Sequence, residues 1–512
     1  WAPSNHGLAM QPYTPTFART KLTPQEAKIT VGKTLTAPET DYRAFVGAGE
    51  GYIVEYGAEG EVKHPIEHVL GGKNTYYCLT TMERGKLQTL PLAYDVNDQR
   101  WYDMAGSAIR HFADVEDEAL DWRERPYTFN SACYSCHVSQ LDTNYDLGTD
   151  TYNTTWVEPG INCETCHGPG AAHVEAARQL GPEEKMEEPK LIVTRDFTPP
   201  QMNSLCAPCH AKMRPITEGF MPGDDYFDHY DLSTLEDRDF YPDGRDLGEN
   251  YTYTSWLMSP CVKAGEMDCM HCHTSSGRYR FVEENHNGAC LPCHQALVDK
   301  PLAHTHHPAG HETDQCISCH MPMSRFANMN RSDHSMRSPA PKATLAFGSP
   351  NACNMCHTDQ DAEWSQKYIA EWYENDYQAP ILEIGHLVDA ARKNEWTKLP
   401  EMIAYLERED RDEVVATSLI RLMQGTGDER KWDALVKALD DPSPLVRSSA
   451  ADGLSNYFTP ESVEALIART RDESRLVRVR AASALAAVPP EAVERDDWEH
   501  LSKATIEWER SL

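Results

Sequence analysis

The sequence predicts a mainly α-helical chain with much irregular loop, organised as three regions that differ in their residue patterns. Residues 1–125 contain short β-like runs, which indicate a small N-terminal cap that includes strands. Residues 126–360 contain seven copies of the pentapeptide Cys-x-x-Cys-His, which indicate a core organised by its cysteines. Residues 361–512 contain no cysteine and repeat at an offset of 31 residues, which indicates a C-terminal α-solenoid.

Within the N-terminal cap, residues 1 to about 40 are rich in proline and threonine and are expected to be extended. Short β-like runs follow over residues 52–96, among them residues 52–56, where aromatic and branched residues alternate, and Thr75–Thr81. Glycine pairs such as Gly71-Gly72 separate the runs, as expected for turns between strands. A helical stretch is expected around residues 104–122.

Sixteen cysteines in 512 residues have to be explained by pairing, by metal binding or by attachment of a cofactor. Fourteen of them stand in the recurring pentapeptide. Its copies are Cys133, Cys136 and His137; Cys163, Cys166 and His167; Cys206, Cys209 and His210; Cys269, Cys272 and His273; Cys290, Cys293 and His294; Cys316, Cys319 and His320; and Cys353, Cys356 and His357. Cys78 and Cys261 lie outside the pattern and could form a disulfide in an oxidising compartment or be two buried thiols.

The spacing of the pentapeptide has a chemical reason. Two thiols three positions apart can each form a thioether with a haem vinyl group, and the histidine that follows can reach the iron. A disulfide framework or a set of zinc knuckles would not need a histidine directly after every second cysteine. We therefore expect seven covalently attached haem c groups, with the seven histidines as proximal iron ligands.

The second axial ligand of each iron matters because two histidines on one iron block it to substrates and suit electron transfer. Seven of the 22 histidines are proximal, and the others leave a surplus of candidates for this distal position. The preferred candidates lie near the motifs, namely His173, His334 and one or two of His304, His306 and His307. A second rank contains His111, His68, His64, His229 and His286. Any of them could instead be an ordinary histidine bonded to a backbone carbonyl.

The remaining histidines and two methionines are weaker candidates for iron ligands. His271 lies between the two cysteines of its motif and is expected to point away from its own iron. Three histidines outside the haem region are not expected to be ligands, namely His6, His386 and His500. Met321 and Met323 could ligate an iron near the sixth motif, although methionine more often serves in packing.

The net charge and the chemistry of haem attachment limit the partners and the location that we expect. The net charge of −32 makes nucleic acid an improbable partner and favours a basic redox protein, another multihaem cytochrome or docking through apolar contacts near a haem edge. The acidity could equally serve only to keep a secreted protein in solution. Because haem is attached covalently outside the cytoplasm, and because the chain starts Trp1-Ala2-Pro3, we expect a periplasmic or extracellular protein whose signal peptide has been removed. No apolar run approaches the roughly 18 residues that a membrane span needs.

Matching residue triplets indicate the C-terminal repeat. Leu445-Val446-Arg447 recurs as Leu476-Val477-Arg478, each followed by alanines and a leucine at equal spacing, and a weaker copy lies one period earlier at Val414-Val415. The sequence Asp-Pro-Ser-Pro at 441–444 marks a turn before a helix. This pattern resembles HEAT-like repeats, whose surfaces usually bind protein, and an ordinary helical bundle is the alternative.

The haem region also resembles a known family. Residues 158–170, which read Glu-Pro-Gly-Ile-Asn-Cys-Glu-Thr-Cys-His-Gly-Pro-Gly, together with His173 resemble a signature of the multihaem cytochrome c superfamily. That superfamily includes the tetrahaem cytochrome of ammonia oxidisers, octahaem hydroxylamine oxidoreductase and pentahaem nitrite reductase. Residues 316–322 and 350–353, with Asp333-His334-Ser335, are similar to a subgroup in which helical repeats follow the haem domain.

The resemblance covers roughly residues 40–365 and implies haems stacked in parallel and perpendicular pairs, mostly with two histidines on each iron. The chain departs from the enzyme members in three ways. No motif ends in lysine, the motif count is seven rather than eight, and no tyrosine can be nominated for the crosslink of hydroxylamine oxidoreductase.

Three functions are compatible with these patterns. The favoured one is electron transfer along the haem chain to or from a redox partner. The second is an oxidoreductase in which one open haem acts on nitrite, hydroxylamine or a sulfur oxyanion. The third is a homo-oligomer, either a subunit of a redox complex or a cytochrome filament, that docks through the repeat domain and receives a histidine across the interface.

Overall fold

The structure is a computed structural model that describes residues 1–47, 49–110, 117–181, 184–248, 251–265, 267–282, 285–291, 293–308 and 314–511. The chain divides into two compact units. The first contains Trp1–Phe197, Cys272–Arg280 and Arg325–Arg331, and the second contains Thr198–His271, Phe281–Ser324 and Ser332–Leu512. Both units therefore carry Cys-x-x-Cys-His motifs. No helix in these ranges combines the length and the apolar character that crossing a bilayer requires.

The first unit is built mainly from short antiparallel strands. Its strands are β1 (Met10–Pro12), β2 (Ile29–Val31), β3 (Thr40–Phe45), β4 (Tyr52–Gly57), β5 (Gly60–Pro65), β6 (His68–Gly71), β7 (Thr75–Thr81), β8 (Leu87–Asp95), β9 (Arg100–Asp103), β10 (Val138–Ser139) and β11 (Glu158–Pro159). Its helices are α1 (Pro15–Lys21), α2 (Met104–Ser107), α3 (Phe129–Ala132), α4 (Tyr134–His137), α5 (Glu164–His167) and α6 (Ala171–Gln179).

Two sheets form the N-terminal cap. One has the strand order β1-β6-β7-β8-β9 and the other the order β2-β3-β4-β5, with antiparallel neighbours throughout. Every residue of β8 is buried, because both faces of this strand are covered. Leu92 and Tyr94 of this strand pack in one core with Ile53 and Trp122, and each of the four is at most 2% exposed. The strands predicted at residues 52–56 and Thr75–Thr81 are confirmed.

Two expectations for the cap were wrong. The first 40 residues are not wholly extended, because α1 occupies Pro15–Lys21, where proline fills the first turn and the side chain of Thr14 accepts a hydrogen bond from the backbone N–H of Phe17. The helix expected around 104–122 is confined to Met104–Ser107 among the described residues. Trp122 lies instead in the core, where its indole N–H donates to the hydroxyl of Tyr42 at 3.3 Å, and burial of this large ring outweighs local helix propensity.

The second unit begins with short elements around the haem motifs. These are α7 (Pro199–His210), β12 (Met213–Pro215), β13 (Tyr230–Leu232), α8 (Thr252–Leu257), α9 (Pro260–Lys263), α11 (Gln295–Val298), α12 (Pro301–Thr305), α13 (Cys316–His320), α14 (Pro341–Phe347) and α15 (Ala352–Cys356). Three further elements contain residues of both units, namely α10 (Cys269–Cys272), β14 (Met323–Phe326) and β15 (Met329–Ser332).

The rest of the second unit is an array of paired helices. Its helices are α16 (Ala362–Trp372), α17 (Ala379–Arg392), α18 (Leu399–Leu406), α19 (Glu413–Leu422), α20 (Lys431–Ala438), α21 (Pro444–Gly453), α22 (Pro460–Arg469), α23 (Arg475–Leu485) and α24 (Trp498–Arg510). The helices α19, α21 and α23 start one predicted period apart. Equivalent positions on them, Val415, Val446 and Val477, are at most 1% exposed, so the sequence repeat corresponds to a continuous core.

A buried charge cluster fixes a haem-region strand of the second unit to the repeats. Asp231, in β13, accepts hydrogen bonds from Arg421, at 2.7 Å, and from Arg480. Arg421 also binds Glu236 and the carbonyl of Leu232, both at 2.7 Å. Burial alone would raise the pKa of the Asp231 carboxyl, but the two guanidinium groups outweigh burial and hold that pKa below its ordinary value.

We predict that Arg421→Met lowers the free energy of unfolding by about 3 kcal/mol, because it leaves buried carboxylates with fewer partners. The matched control is Arg430→Met, which removes an exposed guanidinium paired with Asp428 and is expected to leave stability unchanged. Denaturant titration of the holoprotein, followed by far-ultraviolet circular dichroism, measures both. Equal stability of the two variants would show that the cluster does not hold the repeats.

The two cysteines outside the motifs are thiols in this structure rather than a disulfide, and the expectation of a buried thiol holds for Cys78 only. Cys78 lies in β7 and is 1% exposed, and burial raises the pKa of its thiol to about 12. Cys261 is partly exposed.

We predict that iodoacetamide at pH 8 does not modify Cys78 in the native protein, because only roughly one thiol in ten thousand would be ionised at that pH. Cys261 is the internal control and should react faster. Peptide mass spectrometry before and after unfolding measures both rates. Failure of both cysteines to react in unreduced, unfolded protein would establish a disulfide instead.

Candidate haem-binding sites

The Cys-x-x-Cys-His motifs mostly lie on short helical turns. The second cysteine shows this placement best, because it falls within an α-helix in six of the seven motifs, including Cys272 at the end of α10. On a helical turn, residues three positions apart face the same side, so the two thiols of one motif can reach a common ring. None of the sixteen cysteines takes part in a disulfide, so each motif has the thiols that thioether formation needs.

The second cysteines of the first three motifs are only partly buried. Cys136 lies in α4, Cys166 in α5 and Cys209 in α7, and each retains some solvent exposure. Of the corresponding cysteines in the last two motifs, Cys319 in α13 is partly buried and Cys356 at the end of α15 is exposed. These sulfurs are therefore accessible for attachment to a haem, and their role as attachment points stays a prediction.

The fifth motif departs from the helical pattern. Cys290 ends a 3-10 turn at Gly288–Cys290, and Leu291, which follows it, has an extended backbone with φ of −90° and ψ of 149°. Cys293 therefore lies beyond the turn, where it is exposed. The two thiols of this motif therefore do not lie on one helical turn, because the turn ends at Cys290. Attachment of a haem through Cys290 and Cys293 stays a prediction from sequence spacing.

Two proximal histidines show how their rings are oriented. The Nδ1 of His137 bonds the carbonyl oxygen of Ala9 at 2.6 Å, and the Nδ1 of His167 bonds that of Ile192 at 3.0 Å. A carbonyl only accepts, so Nδ1–H donates and the lone pair resides on Nε2. Metal-ligating histidines characteristically make this bond, because it fixes the tautomer and aims Nε2 at the metal.

Three of the preferred distal candidates make the same bond. The Nδ1 of His173 donates to the carbonyl of Pro189 at 2.5 Å, that of His307 to Thr305 at 2.6 Å, and that of His334 to Ser332 at 2.8 Å. Their rings therefore carry the Nε2 lone pair as well.

Two histidine pairs in the second unit face each other. The ring centroids of His304 and His320 are 6.1 Å apart with planes inclined by 10°, and those of His307 and His357 are 6.1 Å apart with planes inclined by 35°. A metal–imidazole bond is about 2 Å long and the centroid lies about 1.1 Å behind the nitrogen, so two rings on opposite sides of one iron have centroids roughly 6 Å apart. The residues therefore fit a haem iron at the sixth and at the seventh motif.

His306 lies between these two distal candidates in sequence but has a different environment. Its ring stacks on Trp372 with centroids 4.1 Å apart and planes inclined by 7°, and its edge contacts Tyr373. Its backbone is left-handed, with φ of +57°, at the end of α12. This turn sends His304 and His307 toward different motifs and His306 toward the tryptophan.

The second-rank candidates separate into two groups. His64 and His229 use Nε2 to bind carboxylates, Glu55 at 3.0 Å and Asp224 at 3.1 Å, so this nitrogen is already engaged by the protein. His68 lies edge-on to Trp156, and its Nδ1 is buried without a hydrogen-bond partner among the described residues.

Two more second-rank candidates remain. His286 lies near Cys316 of the sixth motif, where its charge lowers the pKa of that thiol. His111 lies outside the described residues.

The other motif histidines have varied surroundings. His210 ends α7 and His294 precedes α11. Burial lowers the pKa of His304 and of His320, and the charge of nearby His294 adds to both effects. His273 contacts the ring of Tyr279, with centroids 6.1 Å apart. His271 uses its Nε2 to bind the carbonyl of Ala289 at 2.8 Å.

One histidine that was not expected to be a ligand lies beside a motif. His6 donates from Nδ1 to the carbonyl of Ser275 at 3.0 Å, two residues after His273.

Cysteines of successive motifs approach one another in the second unit. A hydrogen bond joins the thiols of Cys206 and Cys269 and raises the pKa of Cys206. Another joins Cys290 and Cys316 and lowers the pKa of Cys316 to about 7. Because these cysteines belong to different motifs, the rings attached to the third and fourth motifs, and to the fifth and sixth, would have neighbouring edges.

A buried ion-pair network supports the loop that carries His334. Asp333 accepts a hydrogen bond from Arg245 at 2.9 Å and another from the backbone N–H of Ser335 at 2.8 Å. Arg245 also binds Asp243 at 3.2 Å. Burial alone would raise the pKa of Asp333, but the charges of Arg245 and Arg337 outweigh burial and hold that pKa below its ordinary value.

The motifs, their reduced thiols and the facing imidazoles are those of a c-type cytochrome that carries several haems. Residues 99–168 match the family model for cytochrome c554 and c-prime, and residues 303–398 match that for cytochrome c552. Each matched segment contains two Cys-x-x-Cys-His motifs. Residues 399–486 match the model for HEAT repeats, which confirms that prediction. These matches support a c-type cytochrome with several haems and haem-based electron transfer, and they place HEAT repeats after the haem-binding segments.

Among solved structures, the crystal structure of the outer cell wall cytochrome OcwA is similar to this chain. The two share 15% sequence identity over 86% of this chain and 88% of that chain, with a TM-score of 0.41. No curated protein matches the chain significantly.

Proposed function

We propose that this protein carries seven covalently bound haem c groups and moves electrons along them, outside the cytoplasm, to or from a redox partner. The observation that carries the proposal is the pair of facing imidazoles at two successive motifs, His304 with His320 and His307 with His357. Two protein ligands on one iron leave no position for a substrate, so these sites exchange electrons rather than bind small molecules.

The residues would hold each haem in the same manner. The thiols of Cys316 and Cys319 would attach the sixth haem, whose iron His320 and His304 would ligate from opposite faces. Cys353 and Cys356 would attach the seventh, ligated by His357 and His307. Bound haem supplies an iron that cycles between two oxidation states, while the protein sets its potential through ligand identity, burial and hydrogen bonds to the ligands.

Distal ligands for the remaining haems are proposed from two features, the Nδ1 hydrogen bond to a carbonyl and proximity to a motif. His173 and His334 have the Nδ1 hydrogen bond typical of metal ligands, so we propose them as distal ligands. His68 is proposed for the haem of the first motif, because its ring contacts Trp156, which packs in the same cluster as Cys133. His286 and His111 stay as reserve candidates, whereas the contacts of His229 and His306 favour structural roles.

Close motifs support electron transfer between haems. The thiols of Cys206 and Cys269 are joined by a hydrogen bond, and so are those of Cys290 and Cys316. Burial raises the pKa of Cys319, and the charges of nearby Cys353 and Cys356 raise it further. Thioethers formed at these sulfurs would place the edges of consecutive rings side by side. Such an arrangement supports hopping between the third and fourth haems and through the fifth, sixth and seventh.

The partner and the location follow from charge and from haem chemistry. A net charge of −32 favours a basic redox protein or another multihaem cytochrome that docks near an exposed haem edge. Because thioether attachment is completed outside the cytoplasm, we propose a periplasmic or extracellular protein. The HEAT repeats, residues 399–486, offer a protein-binding surface.

We predict that reductive titration of the oxidised holoprotein takes up seven electrons per chain and that every haem is low-spin before and after. Absorbance and electron paramagnetic resonance spectra measure both quantities, and added cyanide or nitrite should change neither spectrum. A high-spin haem that binds nitrite or hydroxylamine and converts it would replace this proposal with the oxidoreductase alternative.

We predict that His307→Ala converts one haem per chain to a high-spin form that binds cyanide, because the iron opposite His357 loses a ligand. His306→Ala is the matched control, since it changes the neighbouring residue but removes only the stack on Trp372. It should leave all haems low-spin. The spin state of each purified holoprotein is measured by electron paramagnetic resonance, and the reverse result would exchange the roles of the two histidines.

A further inference from the structure

The first residues of the chain form a tight turn that presents His6. The backbone N–H of Ser4 donates to the carbonyl of Trp1 at 2.7 Å, and that of Leu8 donates to the carbonyl of Ser4 at 2.9 Å. The ring of Trp1 contacts the ring of His6, with centroids 5.5 Å apart. The position of the His6 imidazole is therefore set by hydrogen bonds and by packing.

The turn is tied to the second motif. The indole N–H of Trp1 donates to the carbonyl of Ile161 at 2.6 Å, and the backbone N–H of Ile161 donates to the carbonyl of His6 at 2.9 Å. Gly160 makes this approach possible, since its φ is +80° and a Cβ there would clash with the carbonyl oxygen of Gly7. Two residues beyond Ile161, Cys163 begins the second motif.

The same segment is tied to the first motif. The carbonyl of Ala9 accepts the Nδ1 hydrogen bond of His137, the proximal histidine of that motif. One short segment thus fixes the ring of one proximal histidine and the backbone next to another motif. Residues 1–9 therefore belong to the haem-binding part of the first unit, although the sequence alone placed them in a separate cap.

The ring of His6 meets the loop that follows His273. Its Nδ1 donates to the carbonyl of Ser275 at 3.0 Å, and its Cε1 and Nε2 lie 3.5 Å and 3.7 Å from where a Cβ on Gly277 would stand.

The loop on which His6 rests is well defined. The backbone N–H of Thr274 donates to the carbonyl of Arg278 at 2.8 Å, that of Gly277 donates to Thr274 at 2.8 Å, and Arg280 binds the carbonyls of Cys272 and His273. The carbonyl of Ser275 is therefore a fixed acceptor. It orients His6 in the manner in which Ala9 orients His137 and Pro189 orients His173.

We propose that His6 is the distal axial ligand of the haem whose proximal ligand is His273. The inference rests on the proposed function, because it needs a haem attached at the fourth motif. Local sequence patterns do not indicate this ligand, because more than 260 residues separate the two histidines. The first turn of the chain would then contribute to three haem sites at once, as a ligand at one and as a backbone support at two.

The test compares variants of the full holoprotein. His6→Ala should retain seven haems by intact mass and should convert one of them to a high-spin form that binds added imidazole and returns to low spin. His6→Met should keep all haems low-spin, show a methionine-to-iron charge-transfer band and raise the potential of one haem, because methionine favours the reduced iron. His500→Ala is the control, and its spectra should match those of the parent protein.

The outcomes separate this inference from the function it rests on. A fully loaded His6→Ala protein in which every haem stays low-spin, or a His6→Met protein without the charge-transfer band, would overturn the assignment and leave the electron-transfer proposal intact. If His6→Ala does not fold, the His6→Met spectrum decides alone. A parent protein without haem on the peptide that contains Cys269 and Cys272 would overturn both proposals.

Discussion

A hydrogen bond from imidazole Nδ1 to a backbone carbonyl is the interaction on which the proposed haem sites depend. It recurs in both units of the chain, at His137, His167, His173, His307 and His334. Each bond fixes the tautomer and leaves the lone pair on Nε2, where an iron would bind. The accepting carbonyls lie in loops or at the last residue of a short helix or strand, so irregular backbone has to be held in place around every such site.

This constraint also explains the difference between the haem-bearing segments and the repeats. The repeats bury regularly spaced aliphatic residues such as Val415 and Val446, so they form a core without a cofactor. The haem-bearing segments have short helices, and their motif thiols are partly buried or exposed. A bound porphyrin would complete the apolar interior of these segments, as disulfides and metals do in small domains.

The sequence predicted the features that depend on local spacing, such as the strand at Thr75–Thr81 and the period of the HEAT repeats, because strand alternation and helix pairing leave short-range patterns. The sequence did not predict the features that depend on contacts between residues distant in the chain. Burial of Trp122 in the core replaced the helix expected around 104–122. The three neighbouring candidates from His304 to His307 looked equivalent until the left-handed turn at His306 separated them. His6 was not expected to be a ligand because it lies outside the haem region in sequence, and only the fold brings it to the carbonyl of Ser275.

The measurement that tests the central claim most directly is the intact mass of the native protein under denaturing conditions, followed by peptide mapping. The account predicts a polypeptide heavier by seven haem groups, with the added mass on the peptides of the seven pentapeptides and none on Cys78 or Cys261. The bare polypeptide mass, or motif cysteines joined to one another as disulfides, would contradict it.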